Sequence, residues 1–149
     1  MQCHYVSNYK YNQINEIMRE IRYRGIGIAE RKWVFGSLWF DTRNKATLIW
    51  SEEVEYWVRV DPATVGQYTG LKDKNGKEIY EGDVIRSPLS EDKTRPHRIF
   101  YYTGNAAFMG ALVDRKELCY LRLDQDWIYK FGKEVIGNIH DNPELLKNE

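Results

Sequence analysis

Residues 67–85 read QYTGLKDKNGKEIYEGDVI, and the fold turns on whether this is a ligand loop or a pair of turns. In Asp73-Lys74-Asn75-Gly76, aspartate suits the first position of a type I turn and glycine the left-handed position that follows. A two-residue Asn-Gly turn is the alternative. Either way, residues 69–72 and 77–80 become the arms of a hairpin. Glu81-Gly82-Asp83 makes a second tight turn and feeds a strand that begins Val84-Ile85. The side-chain oxygens of Asp73, Asn75, Glu78 and Asp83 also suggest calcium. An EF-hand loop, however, alternates its oxygen ligands, with glycine at the sixth position and glutamate at the twelfth. Here Gly76 follows Asn75 directly, and Lys74 and Lys77 bring positive charge into the loop. We therefore read Gly70, Asp73, Asn75, Gly76, Gly82 and Asp83 as structural turn residues, and expect no metal and no cofactor.

Short β segments flank this stretch. Residues 32–41, KWVFGSLWFD, are aromatic and β-branched with Gly36 inside them. A glycine within a strand marks a bulge or a close approach of backbone. After the turn DTRNK, residues 46–50 (ATLIW) complete a hairpin. Residues 55–60, EYWVRV, are a further strand, stopped by Asp61-Pro62, which opens one helical turn capped by Asp61. Residues 97–104, 106–113, 118–123 and 134–139 are four more strand candidates, and Asn142-Pro143 starts a short closing helix. Upstream, Ile14, Ile17, Met18 and Ile21 have helical spacing behind a capping Asn12. Ile21 and Tyr23 then alternate with Glu20, Arg22 and Arg24 as in a strand. Eight or more short strands separated by turn signals predict a mainly β protein, barrel or sandwich.

The chain has 149 residues, 42% of them hydrophobic and 30% charged, which suits one soluble globular domain. Lys and Arg number 22, as do Asp and Glu, so the basic excess of a nonspecific nucleic-acid binder is absent. No apolar run approaches the ~20 residues of a membrane span. The first residues lack the basic and apolar regions of a signal peptide. Only Cys3 and Cys119 occur, too few for a disulfide framework. A cytoplasmic protein is expected. Aromatic content is high at 14%, and Trp33, Trp39, Trp50 and Trp57 fall close together.

In two blocks the chain resembles the YopX family of phage and prophage proteins. One is Gly66-Gln67-Tyr68-Thr69-Gly70-Leu71 followed by Asp73 to Asp83. The other is Val135-Ile136-Gly137-Asn138-Ile139 with Asn142-Pro143-Glu144-Leu145-Leu146. Met18-Arg19-Glu20-Ile21-Arg22-Tyr23-Arg24 resembles the family's opening, and GIGIAE then departs from it. The resemblance implies a phage or prophage origin and a mostly β fold with a small open barrel of the Src-homology-3 kind. The barrel would be built from residues 67–140, with N-terminal strands and short helices beside it. Residues 1–17 are then an extension, and residues 18–149 one domain with parts 18–66 and 67–149. The resemblance carries no activity and no catalytic residues.

The remaining candidates are weak. Asp124 and Asp126, and the cluster Glu52, Glu53 and Glu55, are read as solvated turns. His4, His97 and His140 are scattered, and a Cys119/His140 nucleophile pair has no motif behind it. No catalytic residue is assigned. Arg22, Arg24, Arg31 and Lys32 lie near Trp33, the combination that holds single strands by stacking and charge. Aromatic residues also fill β cores and subunit contacts. The expectation is a non-catalytic accessory protein, a homo-oligomer working through protein–protein contacts with a partner the sequence does not name. The alternative is a binder of single-stranded nucleic acid.

Overall fold

The computed structural model describes residues 19–88, 95–113 and 120–146. Among them are strands β1 (Tyr23–Ile26), β2 (Trp33–Asp41), β3 (Ala46–Ser51) and β4 (Tyr56–Arg59). Next come β5 (Gly66–Lys72), β6 (Glu78–Tyr80), β7 (Asp83–Arg86), β8 (His97–Tyr102) and β9 (Ala107–Leu112). Strand β10 (Tyr120–Arg122), helix α1 (Gln125–Lys130) and β11 (Glu134–Asn138) follow, with 3-10 turns at Pro62–Thr64 and Pro143–Leu146. The strands form two antiparallel sheets, ordered β4-β3-β2-β1-β5-β6 and β10-β9-β8-β7-β11.

The protein is mainly β, but among the described residues the strands form two open sheets rather than a small barrel over residues 67–140. Strand β5 leaves the expected barrel because it pairs with β1, Tyr23 opposite Gln67 and Arg24 opposite Gly66. The hairpin β5–β6 thus completes the first sheet. The turn at 81–83 then carries the chain to the second sheet. Alternation and turn chemistry reveal strands and their local partners. They carry no information about which distant strand lies on the outer side of a hairpin.

Several local readings are found in place. The β2–β3 hairpin runs in register from Gly36 opposite Ser51 to Asp41 opposite Ala46. Asp41 Oδ1 accepts from the Arg43 N–H at 3.0 Å, an aspartate closing its own turn. Asp61 caps the 3-10 turn, its Oδ1 accepting from the Ala63 N–H at 3.0 Å. The helix expected around residues 11–20 falls almost wholly outside the described residues. Helix α1 was not legible. Asp124, read as a solvated turn residue, is its N-cap and accepts from the Trp127 N–H at 2.8 Å. The helix is one turn and a half long and sends only Ile128 fully inside.

Ile128 joins Ile79, Ile85 and Ile99 in a core that Leu71, Leu123, Trp127 and Val135 cover. Each fully buried isoleucine contributes about 1.5–3 kcal/mol relative to exposure. The stretch 67–85 thus supplies two of the four isoleucines and both turns that aim them inward. Asp73 is 1% exposed. Its Oδ1 accepts from the N–H groups of Asn75 (2.8 Å) and Lys77 (2.9 Å), and its Oδ2 from Val135 (3.0 Å). One carboxylate therefore closes the turn and ties it to β11. Gly70, Gly76 and Gly82 have φ of +84°, +82° and +83°. At Gly76 an added Cβ meets nothing within 4 Å, so a substitution there strains the backbone without a clash. Gly76→Val is expected to lower stability by about 1–2 kcal/mol, and Gly76→Asn by clearly less. Equal melting temperatures for wild type and Gly76→Val would contradict this.

Candidate interaction surface

The aromatic residues of the first sheet collect on one outward face. In an antiparallel pair, residues directly opposite share a face. Trp50 lies opposite Trp57 on β4, and Trp39 opposite Leu48 on β3. Alternation puts Trp39, Trp50 and Trp57 on the same side, with Ser37, Leu48 and Arg59. Trp57 holds the group together. Its ring centroid is 5.5 Å from that of Trp39 and 5.6 Å from that of Trp50, at 57° and 66°. Yet the three side chains remain exposed, at 47%, 37% and 41% for Trp39, Trp50 and Trp57. Large aromatics stacked on each other and left exposed by the described residues form a candidate contact surface.

Beside this face the sheet coils into a cleft. Past the ends of β1 and β4, Gly27 bridges Val60. The Ile28 N–H donates to the Arg59 carbonyl at 3.0 Å, and the Asp61 N–H to the Ile26 carbonyl at 2.9 Å. These bonds join the end of β1 to the end of β4. Between β4 and the β1–β2 turn lies a cleft of about 480 Å³, with Val34, Val58 and Gly27 in its wall. A Cβ on Gly27 would stand 3.4 Å from Val58 Cγ1 and 3.6 Å from Val34 Cγ2, so this wall is closely built. Trp57 borders the cleft and belongs to the aromatic face, making the two continuous.

The group Arg22, Arg24, Arg31, Lys32 and Trp33 is divided by the structure. Arg22 Nη1 donates to both oxygens of Glu78, at 2.8 and 2.9 Å, and its Nε is 3.4 Å from Glu20. Burial pushes the Glu78 carboxyl up, but hydrogen bonds from Arg22 and Tyr80 outweigh it and hold the group below its ordinary value. Arg24 is 7% exposed and lies 2.7 Å from Asp83, with a further bond to the Glu81 carbonyl. Its guanidinium is 4.7 Å from the Trp33 ring and 5.0 Å from that of Tyr80. The Trp33 indole N–H donates to Asp141 at 2.7 Å. Arg22, Arg24 and Trp33 therefore bind the protein to itself. Arg31 and Lys32 are exposed in the β1–β2 turn.

The carboxylates weighed as metal ligands are likewise engaged: Asp73 with backbone N–H groups, Glu78 with Arg22, Asp83 with Arg24. Among the described residues, no group of three or more His, Cys, Asp or Glu is placed to hold a metal ion. His97 is packed edge-on against Trp127 at 6.0 Å, and His140 against Trp33 at 5.9 Å. Cys3, Cys119 and His4 lie outside the described residues. Among those residues no helix is long and apolar enough to cross a membrane.

His140 makes the sheet junction sensitive to acid. Burial and the nearby Arg24 hold its pKa below the ordinary 6.5, against the opposing pull of Asp141 and Asp61. The unfolded chain therefore takes up this proton first as pH falls. Stability is full above about 6.5 and declines as pH drops toward the folded value. The urea midpoint is expected to fall between pH 7 and pH 5, with a shallower fall in His140→Gln. An identical slope in the variant would count against it.

Two open antiparallel sheets, a buried ionic junction between them and an exposed aromatic face describe a β-sheet protein. The chain belongs to the YopX protein family, whose pattern matches residues 5–147. The match begins ahead of Met18 and takes in nearly the whole chain. The chain is also similar to the crystal structure of protein EF1440 from Enterococcus faecalis, with 27% identity and a TM-score of 0.57. That similarity covers 87% of this chain and 100% of the other. No curated protein matches the chain.

Proposed function

We propose that this YopX family protein is a non-catalytic accessory protein of phage or prophage origin, acting in the cytoplasm through protein–protein contacts. The observation that carries the reading is the stacked, exposed trio Trp39, Trp50 and Trp57. Tryptophans in such positions dominate binding energy at protein interfaces. The acidic turn Glu52, Glu53 and Glu55 borders the same strands and repels phosphate, which favours a protein partner. The second reading, single-stranded nucleic acid, draws its support from Arg59 on the tryptophan face.

A photo-crosslinking amino acid at Ser37, on the aromatic face, tests this reading in the native host, with Lys130 on α1 as the control position. A protease-sensitive adduct from position 37 alone supports the proposal, and an adduct of twice the chain mass identifies the partner as a second copy. A nuclease-sensitive adduct transfers the assignment to nucleic acid. No adduct, or equal adducts from both positions, overturns it.

A further inference from the structure

We propose that the cleft receives an extended peptide segment of a protein partner. The segment would set an apolar side chain against Val34 and Val58, with a basic residue toward the β3–β4 turn and an acidic residue toward the β1–β2 turn. This rests on the protein-contact reading above and names the partner's chemistry.

The backbone of β4 supplies the first argument. The Val60 N–H donates to the Thr47 carbonyl at 2.9 Å. By alternation, Tyr56 and Val58 also turn their backbone groups toward β3, while Trp57 and Arg59 turn theirs away. Among the described residues, only the Arg59 carbonyl is engaged on that outer side, by Ile28, and β4 is an edge of the sheet. An extended chain can therefore add to β4 through Trp57, as peptides add to open sheet edges. The cleft beside it, about 480 Å³, lies within the range of ligand sites.

Charge supplies the second argument and fixes the partner's polarity. At one end Glu53 lines the cleft, with Glu52 and Glu55 in the same turn, all exposed and none of them in an ion pair among the described residues. At the other, Arg59 and Lys32 line the cleft with Arg31 beside them, and Glu30 and Asp61 are the acidic residues at that end. Tyr56 and Arg59 are separated by about 10 Å of strand, so the two ends present opposite charge across roughly four peptide residues. A segment with a basic end, an apolar centre and an acidic end matches both. One with like charges at both ends matches only one.

The test titrates the full-length protein with three capped nine-residue peptides of alternating pattern and a central leucine, followed by tryptophan fluorescence at low salt. The first carries lysine at one end and glutamate at the other, the second lysine at both, the third glutamate at both. Each peptide is also made with its sequence reversed, so that strand direction does not decide the result. The mixed peptide is expected to bind about fivefold or more tighter than either other. In the variant Glu52→Lys, Glu53→Lys, Glu55→Lys, the doubly acidic peptide is expected to become the tightest. Equal affinities, no binding, or an unchanged order in the triple variant overturn the inference. A protein adduct from position 37 together with peptide failure sinks the cleft assignment and leaves the surface reading standing. Ordered peptide binding without such an adduct does the reverse.

Discussion

Gly36→Ala is expected to cost about 3 kcal/mol or more and to disrupt the first sheet at its centre. Gly36 has φ of +149°, and a Cβ there would lie 1.8 Å from the Trp50 carbonyl oxygen and 2.9 Å from its carbonyl carbon. Both contacts are with backbone, so no side-chain rotation relieves them. Gly36 is paired on both sides, with Tyr23 on β1 and with Ser51 on β3. Moving away from Trp50 therefore breaks one pairing or the other, and β3 carries Trp50, one of the three tryptophans of the face. The check is a urea unfolding curve beside amide exchange of β2 and β3. Ser37→Ala, one residue on and exposed, is the control, expected to change stability by no more than about 0.5 kcal/mol. If Gly36→Ala unfolds at the wild-type midpoint, the register of the hairpin described above is wrong.

Arg24→Met is expected to cost about 3–5 kcal/mol, the scale for removing one partner of a buried ion pair. Asp83 is 1% exposed, and burial already pushes its carboxyl up against the opposing charge of Arg24 and the Tyr80 N–H. Without Arg24 that carboxylate keeps one backbone hydrogen bond and loses its counter-charge. The guanidinium also leaves the space between Trp33 and Tyr80, where methionine restores only part of the packing. Two further results separate charge from packing. The variant's folded Asp83 binds its proton at a higher pH than the unfolded chain does, so the variant should regain stability from pH 7 toward pH 5. The double variant Arg24→Met, Asp83→Asn should be less destabilised than the sum of its single changes. Additive losses and a flat pH response would show that Arg24 acts through its volume alone.

The elements that could be read from sequence are those whose causes are local. The hairpin around DTRNK, the Asp61-Pro62 turn and the Asp73–Gly76 turn each depend on residues within a few positions, and side-chain chemistry names them. Helix α1 escaped because six residues give one apolar contact, too little to show a period. The pairing of β5 with β1 escaped because partners 42 and 44 residues apart leave no mark on either strand, whereas the β5–β6 hairpin was local and legible. Much of the tryptophan face could have been found. Tight turns at 42–45 and 52–55 place Trp50 opposite Trp57 by counting alone, and Trp39 on the same side. Trp33 drew attention instead because Arg22 and Arg24 lie nearby in sequence. Glu78, Asp83 and Asp141, which engage the two arginines and Trp33, come from 56, 59 and 108 residues away.

Those separations bear on how the protein is made. Strands β1 to β4 leave the ribosome first and can pair among themselves at once, since each hairpin closes a short loop. Arg24 waits for Asp83, Asp73 for Val135, and Trp33 for Asp141, three residues beyond the end of β11. Until Asp83 and then Asp141 emerge, the growing chain carries its first strands with the cation uncompensated and the indole unclasped. The bond to Asp141 marks the arrival of β11, since it is made only after that strand has been delivered. A chain broken off before that point would present the unlatched junction to the proteases that clear unfinished products.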